Sequence, residues 1–175
     1  MGLPRRPERV KLIAGLLSNQ PGILNDAKKE LTRKFGKIDF ESEPLKFEHT
    51  EYYKEEFGDA LERIFVSFER PFDLEGIYKT KLKTNLIEKR YLAKNKRLVN
   101  IDPGYLNLSK LVLFSTKDFS HRLYLRGGIY AEVTLFYKNK KFNYWPWTYP
   151  DYKTEAYLDI FDKMRELYRV QVRGS

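Results

Sequence analysis

The chain has 175 residues, no cysteine, two histidines and a formal net charge of +9. That composition excludes disulfide frameworks, thiolate nucleophiles and His-rich or cysteine-ligated metal centres; neither zinc nor haem is expected, and any metal, such as Mg²⁺, would take oxygen ligands. With 42% apolar and 33% charged residues, the sequence reads as a single folded domain over residues 1–175, with residues 1–9 a flexible basic leader.

The apolar run Val10–Leu17 is interrupted by Lys11 and is too short to span a bilayer. No membrane contact is expected, and the location reads as cytoplasmic. Met-Gly at the start does not form a myristoylation signal, because Arg6 stands where Ser or Thr is usual. Val10–Leu17 instead reads as a buried strand. After the Ser18–Gly22 break, Pro21 suits a first helical turn, and Leu24, Ala27, Leu31 and Phe35 recur at helical spacing before the stop at Gly36. "KIDFESEPLKFEHTEYY" predicts two strand pieces bent at Pro44. Tyr53, Phe57, Leu61 and Phe65 predict a short helix running into another strand.

Asp73 reads as the N-cap of a helix with Leu74, Tyr78, Leu82 and Leu86 inside. Lys79, Lys81, Lys83, Lys89, Arg90, Lys94, Lys96 and Arg97 make that side electropositive, as a solvated surface or as a binding groove. From Arg97 onward the pattern turns to strands: Arg97–Ile101, Lys110–Thr116, Ser120–Leu125, Ile129–Tyr137 and Lys141–Trp145. Turns fall at Asp102-Pro103-Gly104, Gly127-Gly128 and Lys138-Asn139-Lys140. A last helix follows Pro150-Asp151, with Ala156, Ile160, Met164, Leu167 and Tyr168 on one face. The expected fold is α+β: a mainly antiparallel sheet, helices packed chiefly on one face, and a ferredoxin-like N-terminal part, with a barrel-like closed sheet as the alternative.

Polar residues with chemical potential concentrate between Asn100 and Asp151. A two-residue Gly127-Gly128 loop pairs Leu125 with Tyr130 and Leu123 with Glu132, placing His121 diagonally beside Glu132 and Arg122 with Tyr124 on the opposite face. A bulge would exchange those faces. A carboxylate beside histidine tunes a general acid or base, although a plain cross-strand polar pair has the same appearance. "FSTKDFSHR" gathers Ser115, Thr116, Lys117, Asp118, His121 and Arg122, a mixture suited to phosphate oxygens and equally to a polar turn. In "WPWTYPDY", Trp145, Trp147 and Tyr149 are base-stacking candidates or a strand's packing face, and Asp151 is a site residue or a helix cap. No Gly-x-x-x-x-Gly-Lys-Ser/Thr loop, Gly-x-Gly-x-x-Gly turn, Gly-x-Ser-x-Gly elbow or His-Glu-x-x-His pair occurs.

"GLL" at 15–17, "HTEYYKEEFG" at 49–58, "KTN" at 83–85, "NIDPGYL" at 100–106, "KLVLFSTKDFSHRLYL" at 110–125, "GIYAEVTL" at 128–135 and "WTYPDY" at 147–152 together make the chain resemble a prokaryotic family designated domain of unknown function 4416. The resemblance covers roughly Val10 to Tyr168. Its segments coincide with the polar stretches above and so imply one site made of Asn100, Asp102, Thr116, Lys117, Asp118, His121, Arg122, Glu132 and Asp151. Members are sometimes labelled GTP-binding. Here the phosphate loop is missing, and Thr116-Lys117-Asp118 lacks the residue that a guanine-reading sequence carries between lysine and aspartate.

Two functions compete at this level. In the first, the chain is a small enzyme or binding domain for a phosphorylated or nucleotide-like molecule. Lys117, Arg122, Asn100, Thr116 and Asp151 bind the ligand, while Asp102, Asp118, His121 and Glu132 supply acid–base or divalent-metal chemistry. In the second, it is a non-catalytic RNA or single-strand binding module that uses the lysine-rich patch.

Overall fold

A computed structural model of the chain describes residues 2–47, 57 and 60–173. In chain order the elements are β1 (Lys11–Ser18), α1 (Pro21–Phe35), β2 (Ile38–Glu41), β3 (Leu45–Lys46), β4 (Glu62–Phe68), α2 (Lys79–Arg90), β5 (Leu92–Ala93), β6 (Lys96–Arg97), β7 (Asn100–Leu106), β8 (Lys110–Ser115), β9 (Leu123–Arg126), β10 (Ile129–Lys138), β11 (Lys141–Tyr144) and α3 (Glu155–Arg173). The helix expected around Tyr53 lies, apart from Phe57, outside the described residues.

One antiparallel sheet of nine strands carries the structure, in the order β11-β10-β8-β7-β1-β4-β2, with β3 on β4 and β9 on β10. Its first half is the βαββαβ arrangement of ferredoxin-like folds: β1-α1-β2, then β4-α2-β7, with β7 and β4 flanking β1 and β2 outermost. The hairpins β8, β10 and β11 extend this sheet beyond β7.

Alternation along the strands fixes two faces. Leu12, Ala14, Leu16, Ile64, Val66 and Phe68 pack with Leu24, Ala27, Leu31 and Phe35 of α1 and Ile87 of α2. Ile13, Phe65, Leu111 and Leu135 pack with Tyr157, Ile160, Phe161, Met164 and Tyr168 of α3. Among the described residues, helices therefore cover both faces, two on one and the third on the other.

Four local expectations need correction. Asp73 does not cap α2, which starts at Lys79; Asp73 instead accepts hydrogen bonds from Arg6 and Arg9. The inner face of α2 is Thr80, Lys81, Thr84, Ile87 and Glu88, while Leu82 and Leu86 are exposed. A polar stripe faces inward because Lys81 and Glu88 bond to β7, which repays their burial.

Asp102-Pro103-Gly104 is not a turn. These residues are the middle of β7, opposite Gly15, Ala14 and Ile13 of β1. The β7–β8 ladder joins only Gly104, Tyr105 and Leu106 to Leu113, Val112 and Leu111. Pro103 thus stands just where β7 becomes an edge on the β8 side, a position at which a strand tolerates proline. Gly104 is required by close approach: a Cβ there would lie 2.2 Å from the Val112 carbonyl oxygen. The segment marks the place where two strands part.

In the Gly127-Gly128 hairpin, Arg126 pairs with Ile129 as a two-residue loop demands, but the register then slips, pairing Tyr124 with Tyr130 and Leu123 with Ala131. The bulge overturns the expected Leu125–Tyr130 and Leu123–Glu132 pairs. The strand begins only at Leu123, so His121 and Arg122 approach β10 from the preceding turn.

Candidate functional site: a basic cleft where the sheet parts

Beyond Gly104 and Leu113 the two strands have no partner in each other, and between them opens a cleft of about 440 Å³. Among the described residues, five basic side chains, Arg63, Lys81, Arg97, Lys117 and Arg122, line it against three carboxylates, Asp102, Glu132 and Asp151.

One wall comes from β4, β7 and α2. Strand β4 reads "ERIFVSF", and its odd positions point away from α1, so Arg63 emerges beside Phe65 on the cleft face. Its side chain is buried, with the guanidinium 5.0 Å from the Phe47 ring centre. Nη1 donates to Asp102 Oδ2 at 3.2 Å. Gly15 makes this reach feasible: it lies opposite both Phe65 and Asp102, and a Cβ there would come within 3.0 Å of Arg63 Nη1.

Asp102 also accepts from Asn100 Nδ2 at 2.7 Å and faces Lys81 Nζ at 3.6 Å. Lys81 donates to the Ile101 carbonyl at 2.8 Å. Arg97 Nη1 donates to Asn100 Oδ1 (2.8 Å) and to Glu88 Oε2 (3.2 Å), while Glu88 Oε1 accepts the Ile101 amide at 2.6 Å. The result is a network of alternating charge, anchored on strand backbone.

Its electrostatics follow from that order. Burial pushes the Asp102 carboxyl up, but Lys81 and Arg63 outweigh it and hold the group below the ordinary aspartate value. Burial works against charge on Arg63, yet the fields of Tyr152, Asp102, Tyr157 and Asp151 raise it above the ordinary arginine value. For Glu88 burial prevails over Lys81, the Ile101 amide and Arg97, and its carboxyl is raised.

The opposite wall comes from β8, β10 and the turn between β8 and β9. Arg122 Nε donates to buried Glu132 at 2.7 Å, Nη1 to Ser115 Oγ at 3.1 Å and the Lys117 carbonyl at 3.0 Å, and Nη2 to the Tyr149 hydroxyl at 3.0 Å. Burial lowers the Arg122 proton affinity, but the Glu132 contact more than reverses this and the group is raised. His121 Nε2 lies 3.2 Å from Glu132 Oε2. The expected His121–Glu132 contact is present, but Arg122 shares that carboxylate instead of occupying the other face.

Of the residues singled out from sequence, Asn100, Asp102, Thr116, Lys117, Arg122, Glu132 and Asp151 line the cleft together. His121 reaches it only through Glu132, and Asp118 is exposed outside it. Trp145 and Trp147 are not a strand's packing face: they stack on each other, with centres 5.2 Å apart and planes at 7°, and His121 stacks on Trp147. Asp151 is buried in the single 3-10 turn Pro150–Lys153 that precedes α3. Sequence reasoning missed Arg63 and Glu88 entirely. For Arg63 a signal existed, a lone arginine on a strand whose remaining interior positions are apolar or serine.

Asp102 and Glu132 are each bonded to a guanidinium, and among the described residues no group of three or more His, Asp or Glu side chains could hold one metal ion. This donor set does not fit a resident divalent cation.

Fold and cleft together define an α+β protein whose antiparallel sheet parts to form a basic-lined recess. The chain belongs to the family described as Domain of unknown function (DUF4416), whose model matches residues 8–168. No curated protein matches the chain. No solved structure matches it. Among the described residues no helix is long and apolar enough to cross a membrane.

Proposed function

We propose that the cleft binds a small phosphorylated molecule. The observation that carries this reading is the excess of basic over acidic side chains among the described residues that line a recess of ligand size, at a break in the sheet. A surplus of cations held in a partly dry site attracts phosphate more strongly than the same charges in water.

Asp102 serves binding more than proton transfer. Held ionised by Arg63 and Lys81, it is a weak base and no acid near neutral pH, and it fixes both cations in place. The nucleic-acid alternative is less favoured, because Lys81 and Arg97 of the lysine-rich stretch line the recess, and Arg90 is paired with Glu30.

The test is a thermal-shift and calorimetric screen with inorganic phosphate, pyrophosphate, ribose 5-phosphate, nucleoside phosphates and a single-stranded oligonucleotide. Binding at 100 times Kd stabilises the fold by about 2.7 kcal/mol. Lys117→Ala, at an exposed cleft residue, should weaken binding. Absence of any shift with every phosphorylated compound overturns the reading, and binding of the oligonucleotide alone favours the alternative.

A further inference from the structure

The "WPWTYPDY" segment contributes one aromatic side chain to the cleft that its neighbours leave uncovered. Trp145 and Trp147 are occupied by each other, by Phe136 and by His121. Tyr149 is half exposed, lines the cleft, and has no other ring packed against it among the described residues.

Yet Tyr149 is held at both ends. At its base, Thr148 is buried, its hydroxyl donating to the Thr134 carbonyl at 2.7 Å and accepting the Trp145 amide at 2.9 Å, while Pro150 on the other side restricts the backbone. At its tip, the hydroxyl accepts from Arg122 Nη2 at 3.0 Å. Arg122 is itself fixed by Glu132, Ser115 and the Lys117 carbonyl, which uses four of its five N–H donors once Tyr149 is included. A surface tyrosine ordinarily keeps its rotamer freedom. Here several buried partners are spent on orienting a ring whose face stays open beside a basic recess.

We infer that Tyr149 is a stacking platform for a planar ring of the ligand, with Arg122 as its positioning residue, so that the molecule bound is a nucleoside phosphate and not a bare sugar phosphate. This rests on the cleft being a phosphate site. The phosphates face the cations of the recess, and the base lies on Tyr149 at its mouth. An aromatic face reads no hydrogen-bond pattern, so all four bases should be accepted with modest differences.

The experiment titrates the full chain with the four nucleoside monophosphates and with ribose 5-phosphate, in the wild type, Tyr149→Ala and Tyr149→Trp. In the wild type, nucleotides should bind about tenfold more tightly than ribose 5-phosphate, the scale of one base–aromatic stack. Tyr149→Ala should abolish that ratio, and Tyr149→Trp, lacking the hydroxyl but keeping a larger face, should restore most of it. Circular dichroism melting confirms that each variant is folded. If ribose 5-phosphate binds the wild type as tightly as the nucleotides, or the ratio survives in Tyr149→Ala, the inference is wrong while the phosphate site stands. If neither kind of compound binds, the phosphate site itself fails and this inference falls with it.

Discussion

Gly15 stands opposite Asp102 in the β1–β7 ladder, and the Arg63 guanidinium passes over the space a side chain at Gly15 would fill. Gly15→Ala puts a methyl group 3.0 Å from Arg63 Nη1 and from the Phe65 ring. Overpacking of this kind costs about 1 to 3 kcal/mol. Because Arg63 must withdraw from Asp102 to relieve it, the loss should be less than additive with Asp102→Asn. Urea unfolding of the two single variants and the double variant measures that coupling.

Asp102→Asn leaves buried Arg63 without its bonded anion and should destabilise the protein by roughly 3 kcal/mol at neutral pH. Because the folded value of Asp102 is depressed, its contribution is complete above the unfolded aspartate value of about 3.9. It disappears as pH falls through the folded value. The difference in unfolding free energy between wild type and Asp102→Asn should therefore be flat from pH 7 to 5 and shrink toward acid. A difference that grows on acidification would reverse the assigned direction.

Glu88 behaves in the opposite sense. Its folded value is raised by burial, so below that value the folded protein binds a proton that the unfolded chain does not yet hold. Stability relative to Glu88→Gln should rise as pH drops through the folded value, and level off below the unfolded glutamate value of about 4.3. Gln keeps an acceptor for the Ile101 amide, so the variant isolates the charge. Comparing denaturation curves at half-unit pH steps would show the gain, and a loss over the same interval would contradict it.

The inner face of α2 can be tested directly. Ile87→Ala empties a buried position and should cost about 2 to 5 kcal/mol, whereas Leu86→Glu, at an exposed one, should change stability by no more than about 0.5 kcal/mol. Equal losses from the two would return the helix to the orientation expected from Leu74, Tyr78, Leu82 and Leu86.

Those last four residues show where sequence reading stops. In α1 the apolar stripe and the inner face are the same residues, Leu24, Ala27, Leu31 and Phe35, because apolar side chains of β1 and β4 lie beneath that helix. Under α2 lies the polar start of β7, and what satisfies Asp102 and the Ile101 backbone there is a lysine and a glutamate. Periodicity follows hydrophobicity, and so it turned the helix the wrong way. The same limit hid the meaning of Asp102-Pro103-Gly104. Pro-Gly chemistry favours turns, and only the neighbour leaving at Gly104 makes it suit a strand. The polar residues Asn100, Asp102, Thr116, Lys117, Arg122, Glu132 and Asp151 did indicate the cleft, since they cluster in a chain otherwise alternating toward a core. Arg63 gave only the signal of a lone arginine on an apolar strand, because its partner lies 39 residues away.

The short β7–β8 ladder has a mechanical consequence. Arg63, Lys81 and Asp102 belong to the βαββαβ half, while Ser115, Lys117, Arg122 and Glu132 belong to the hairpin extension. Three residue pairs form the direct seam between the strands that carry these two groups. A molecule gripping both sides would act as a removable rivet across a thinly stitched line of the sheet. Its arrival would be felt in the amides of Gly104–Leu106 and Leu111–Leu113, whose exchange with solvent should slow more than that of the β1–β4 centre.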